Sequence, residues 1–133
     1  MSDVRPAVPT RNAFYVGCVP CNDDAHILLA VQCTWDLAHD NACAVTVIAP
    51  TREQFRTHSA LRRLPRGTGK ETPRTMHAGN VAPVVVACWP DERTLKNIES
   101  LPNLRDLFVV PGAQYDVEPW RIAHSAVDLL AFG

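Results

Sequence analysis

Val84-Val85-Val86-Ala87-Cys88-Trp89-Pro90-Asp91 is the stretch on which the fold turns. Its apolar run has strand length, is rich in β-branched valine, and shows no polar alternation. That is the pattern of a strand covered on both faces, as in a parallel sheet. Proline has no N–H to give a ladder, so Pro90 ends the strand. Asp91 then accepts from the free N–H groups of a new helix. The phrase reads strand, turn, helix.

It recurs three times. Phe14-Tyr15-Val16-Gly17-Cys18-Val19-Pro20 leads to Asn22 and Asp23. Val45-Thr46-Val47-Ile48-Ala49-Pro50 leads to Thr51, and Leu107-Phe108-Val109-Val110-Pro111 leads to Gly112 and Asp116. Strands are expected over Ala13–Val19, Ala44–Ala49, Pro83–Trp89 and Leu104–Val110. Helical spacing places Ile27, Leu28, Val31, Trp35 and Ala38 on one face of a first helix from Asp23 to Asp40. Thr51 and Gln54 have capping-box spacing for a second helix, which Pro65 stops after Leu64. Leu95, Ile98 and Leu101 line a third, and Trp120, Ala123, Val127 and Leu130 stripe a last helix begun by Pro119.

Alternating strands and helices predict a three-layer α/β sandwich. Its open, mostly parallel sheet has about four strands and helices on both faces, a Rossmann-like or RecA-like arrangement with right-handed crossovers. The four apolar runs are expected as parallel neighbours, with Pro20, Pro50, Pro90 and Pro111 at one edge. Residues 1–11 read as a flexible tail and residues 12–133 as a single domain.

The chain has 133 residues, 47% hydrophobic and 20% charged, which suits a packed domain rather than a disordered tail. A formal net charge of -1 provides no global field for nucleic acid or anionic lipid, so any nucleic-acid contact is local. There is no apolar signal core and no run of membrane-spanning length, which points to the cytoplasm. Five cysteines, an odd number in mostly apolar contexts, argue against a secreted disulfide scaffold. Cys33, Cys43 and Cys88 read as small core residues.

In an open parallel sheet the strand-to-helix turns gather at the carboxyl edge, where ligands bind. The binding residues expected there are Thr51, Arg52, Asp91, Arg93 and Gln114. The acidic residues of these turns read as helix caps, and neither a metal nor a cofactor is implied. The irregular segment 65–80 holds Pro65, Gly67, Gly69, Pro73 and Gly79 with Arg66, Lys70 and Arg74, and reads as a functional loop. Its Gly67-Thr68-Gly69-Lys70-Glu71-Thr72 lacks phosphate-loop spacing, since Leu64 stands where the first glycine belongs and Glu71 where Ser or Thr would bind magnesium.

Cys18-Val19-Pro20-Cys21 is the sharpest chemical motif. A C-x-x-C between a strand and a helix lowers the pKa of one thiol while the other resolves a mixed disulfide. The segment resembles the thioredoxin active site, although no Trp precedes Cys18 and a helix separates the last two apolar runs.

Ala49-Pro50-Thr51-Arg52-Glu53 resembles the second conserved motif of superfamily 2, DEAD-box-like helicases. Cys88-Trp89-Pro90-Asp91 stands where that family has its TPGR-type motif, and Leu104 to Val110 resembles the strand before its acidic motif. The resemblance covers residues 12 to 115, the first RecA-like lobe. It implies Thr51 and Arg52 on a nucleic-acid backbone. It also implies a degenerate lobe without ATP hydrolysis. Gly17 to Asp24 lacks Gly-Lys-Thr, and Val110-Pro111-Gly112-Ala113 replaces Asp-Glu-Ala-Asp.

The expectation is a non-catalytic binding or assembly module, with a partner protein or a second copy against the carboxyl edge and the 65–80 loop. The alternatives are a thiol–disulfide oxidoreductase using Cys18 and Cys21, and a nucleotide or small-molecule binder at the same edge.

Overall fold

The computed structural model describes residues 12–17, 24–40, 43–112 and 115–132. The strands are β1 (Asn12–Tyr15), β2 (Val45–Ile48), β3 (Gly69–Glu71), β4 (Val84–Cys88), β5 (Asp106–Val110) and β6 (Val127–Asp128). The helices are α1 (Asp24–Asp40), α2 (Gln54–Thr57), α3 (Ser59–Arg62), α4 (Glu92–Glu99) and α5 (Glu118–Ala123), and a 3-10 turn follows at Leu129–Phe132. The strands form one open sheet in the order β3-β2-β4-β5-β1-β6, and every pairing is parallel.

The four apolar runs are adjacent at the centre, as β2, β4, β5 and β1. Pro50, Pro90 and Pro111 follow β2, β4 and β5 and therefore share the carboxyl edge, while Pro20, expected there too, lies outside the described residues. Alternation along the strands makes two cores. Val45, Val47, Val84, Val86, Cys88, Phe108 and Val110 face α1 and the α2–α3 pair, meeting Ile27, Ala30, Val31, Phe55 and Leu61. Val85, Ala87, Leu107 and Val109 face the other way, onto Leu95 and Ile98 of α4 and Trp120 of α5. Burying each such aliphatic side chain contributes roughly 1.5–3 kcal/mol.

The sheet has six strands where the sequence reading has about four. The additions are short edge strands without apolar runs. β3 lies inside the segment read as a loop, pairing Thr46 with Gly69 and Ile48 with Glu71. Side-chain bonds order the chain beyond it. The Thr72 N–H donates to Thr75 Oγ1 (2.9 Å), and the His77 N–H donates to Asn80 Oδ1 (2.8 Å).

β6 replaces the end of the expected last helix. The helix stops at Ala123, Ser125 turns at φ 50°, and Val127 pairs with Phe14. Glu99 on α4 fixes α5. Its Oε2 accepts from Trp120 Nε1 (2.8 Å) and lies 2.6 Å from His124 Nε2.

The expected second helix is also corrected. It is two single turns, α2 and α3, broken at His58, whose backbone is extended (φ -81°, ψ 125°). Half of the capping box forms: Gln54 Oε1 accepts the Thr51 N–H at 3.0 Å. The Thr51 hydroxyl also turns to Gln54 (3.3 Å) and caps nothing. The expected tail, 1–11, lies outside the described residues. No described helix is long and apolar enough to cross a membrane.

Candidate functional site

Parallel strands end together, and their last residues make the floor of a cleft of about 940 Å³ at the carboxyl edge. Ile48 and Ala49 come from the end of β2, and Ala87 and Cys88 from the end of β4. These residues are buried and apolar, because each packs onto one of the two cores. Pro73 and Arg74, from the connection between β3 and β4, add a wall, and Asp91, Arg93, Thr94 and Asn97 bring in the first turns of α4.

Trp89 is the unusual member of the lining. It follows β4 directly, and its φ is +50°, in the left-handed region. For an L-residue this costs roughly 1–2 kcal/mol. The strand ladder continues through it, since its N–H donates to the Val110 carbonyl at 2.8 Å. The turned backbone sets the half-buried indole in the cleft wall. There it meets His58, with ring centroids 5.1 Å apart and planes tilted by 50°.

His58 reaches the cleft because the helix breaks beneath it. Behind the ring stands Asp24, at the start of α1, with Oδ1 3.7 Å from His58 Nδ1. That separation is an ion-pair distance, too long for a direct hydrogen bond. The other Asp24 oxygen accepts from the Ser59 hydroxyl and lies 3.7 Å from Arg63 Nη2, so Asp24 ties α1 to α3.

Asp91 is a helix cap. Its Oδ1 accepts the Thr94 N–H at 2.7 Å, and that bond holds its carboxyl below the ordinary aspartate value, with Arg93 adding a smaller effect in the same direction. Burial, then the neighbouring Glu92, pushes the Tyr115 phenol up, so this wall residue stays neutral in the physiological range. Burial pushes the Cys88 thiol up to about 12. Cys88 is therefore an inert part of the floor. Among the described residues no carboxylate lies within ion-pair distance of Arg74 or Arg93.

Of the binding residues expected from sequence, Asp91 and Arg93 line the cleft. Thr51 and Arg52 are exposed on the turn beside it, where Pro50 and Gln54 are the lining residues. Gln114, Cys18 and Cys21 lie outside the described residues. Sequence reasoning missed His58 and Trp89 as cleft residues, and singled out Arg74 only as a cation of the 65–80 loop, which the fold brings to the cleft. A tryptophan between an apolar strand and a proline looks like the last strand residue, and only its backbone angle shows otherwise.

No protein-family model matches the chain, and no curated protein matches it.

Proposed function

We propose that the chain is a non-catalytic binding module whose binding site is the carboxyl-edge cleft. The observation that carries this reading is the union of an apolar strand-end floor with a strained aromatic wall. The cleft's volume falls in the range of small-molecule sites, roughly 300–1,000 Å³, and its position is where open parallel sheets take ligands. Strain at a bulky residue persists where a site uses the geometry it creates. Two of the cleft's titratable groups fit binding rather than chemistry: Asp91 is held by its cap and Cys88 is a buried, inert thiol.

Isotope-edited NMR titration of the full chain with a fragment library tests this. Shifts gathered at Ala49, Trp89, Thr94 and Asn97 support the cleft. Shifts gathered on another surface, or a concentration-dependent dimer without cleft shifts, would replace it with an assembly role.

A second reading follows the helicase resemblance. The turns that carry it, Pro50 and Cys88–Asp91, flank this one cleft, with Thr51 and Arg52 exposed beside it. A nucleic-acid strand would then cross the edge. Binding of a labelled single-stranded oligonucleotide, weakened by salt and by Arg52→Gln, would favour it. Magnesium-dependent ATP hydrolysis is expected to be absent in either case.

A further inference from the structure

We infer that the cleft's ligand is a small planar aromatic molecule with an anionic head, a carboxylate or a phosphate, its ring against Trp89 and its charge met by Arg74 and Arg93. The inference rests on the cleft being the binding site and adds the chemistry of what enters it.

The lining divides into a body and a head. The floor of Ile48, Ala49, Ala87 and Cys88 has no polar side chain beyond a neutral, buried thiol, so it accepts apolar surface. Trp89 brings an indole to the wall, and a flat unsaturated ring makes the most of such a face by offset or edge-on packing.

Among the described residues, the charged groups of the cleft are Arg74, Arg93, Asp91 and, when protonated, His58. Asp91 already accepts the Thr94 N–H, and Asp24 stands behind His58. Arg74 and Arg93 have no carboxylate within ion-pair distance among the described residues. They come from different walls, the β3–β4 connection and the first turn of α4. The cleft is thus positive, and guanidinium groups match the planar, two-oxygen faces of carboxylate and phosphate.

The surroundings favour a small ligand over a polyanion. Glu53, Glu92 and Asp116 are exposed on the turns along the same edge. A long phosphate chain would cross these carboxylates, whereas a single anionic group inside the cleft would meet two arginines against the one carboxylate of Asp91, which the Thr94 N–H already engages.

Four probes of one shape test the inference with the full chain: 2-naphthoate, 2-naphthyl phosphate, 2-naphthol and 2-naphthylmethylammonium. Affinity is read by calorimetry and location by NMR shifts. The expected result is that the better anion binds about tenfold or more tightly than naphthol, with the ammonium weakest. Whether naphthoate or naphthyl phosphate leads identifies the head group. Arg74→Gln and Arg93→Gln should each remove most of the anion's advantage and leave naphthol unchanged. Trp89→Leu should weaken anions and naphthol together. Trp89→Tyr, with its fold verified by thermal melting, should retain most of the binding.

Naphthol binding in the cleft as tightly as the anions would overturn the anionic head and leave the cleft as a binding site. Anion binding unchanged by both arginine variants would do the same. If none of the four probes shifts a cleft residue, the inference and the cleft reading both fail. Oligonucleotide binding in the absence of probe binding would hand the edge to the nucleic-acid reading.

Discussion

A Cβ placed on Gly112 would lie 2.9 Å from the Cβ of Trp89 and 3.3 Å from its Cα. The chain after β5 thus runs hard against the strained turn after β4, and the two hold the cleft wall between them. The contact is with main-chain and first side-chain atoms, which cannot swing aside as a distal side-chain group could.

Gly112→Ala is therefore expected to destabilise the fold by about 1–3 kcal/mol through overpacking. The same change should alter the near-ultraviolet dichroism of the protein by moving the Trp89 indole. Urea melts measure the first effect. An alanine variant as stable as the parent, with an unchanged tryptophan spectrum, would mean that the turn has room to relax.

Gly17 and Asp128 make a second close pair across the β1–β6 edge. Asp128 Oδ1 accepts the N–H groups of Gly17 and Leu130, both at 2.9 Å. A Cβ on Gly17 would come within 2.6 Å of Asp128 Cγ, displacing a carboxylate that is already held. Gly17→Ala and Asp128→Ala are each expected to free β6. Hydrogen exchange should then speed up at the amides of residues 127–130 while β4 and β5 keep their protection. Uniform acceleration across the sheet would show that β6 unfolds only with the whole.

Asp91 should make the start of α4 sensitive to acid. Asp91→Ala is expected to cost about 1 kcal/mol, the usual value of a lost N-cap. Asn caps nearly as well, so Asp91→Asn loses only the charge at the helix start, about 0.3–1 kcal/mol. The carboxyl is held below its ordinary value, so folding favours the ionised form. The advantage of Asp over Asn is complete above the unfolded value near 4 and fades as pH falls through the lower folded value. Thermal melts of the two proteins from neutral pH to about pH 2 should converge at the acid end. A gap that widens in acid would reverse the assignment.

The cysteines should separate by reactivity. Cys88 is expected to resist alkylation in the native state and to react on unfolding, since burial holds it as the thiol. Its raised value favours folding most fully below the unfolded thiol value of about 8.5, and this contribution is lost as pH rises toward about 12. Cys88→Ala should flatten that alkaline decline. Cys18 and Cys21 are expected to label at ordinary or slow rates, without disulfide-reductase activity. Rapid labelling of either one well below pH 8.5, with turnover of a disulfide substrate lost in Cys18→Ser or Cys21→Ser, would replace the binding module with a redox enzyme.

The central fold was legible because its signals are local. Each central run carries its own apolar pattern and its own terminating proline, and Asp91 caps α4 as the pattern requires, whereas Thr51 does not cap α2. Burial on both faces is written in Val84-Val85-Val86 itself, since no polar residue interrupts it. The same logic fails at the edges. Gly69-Lys70-Glu71 has no apolar run and is a strand because β2 offers it a parallel ladder. Val127 keeps helical spacing with Trp120 and Ala123, yet Ser125 reverses the chain and Val127 pairs with Phe14.

The central buried strands, the Asp91 cap and the position of the carboxyl edge follow from the sequence alone, because periodicity, proline and capping act within a few residues. Strand order, the break at His58, the left-handed turn at Trp89 and the presence of Arg74 and Arg93 in the lining of one cleft depend on the tertiary structure. Each depends on groups distant in the chain: Asp24 behind His58, Val110 bonded to Trp89, Gly112 leaving space for its side chain. No local pattern encodes such meetings, and they build the cleft.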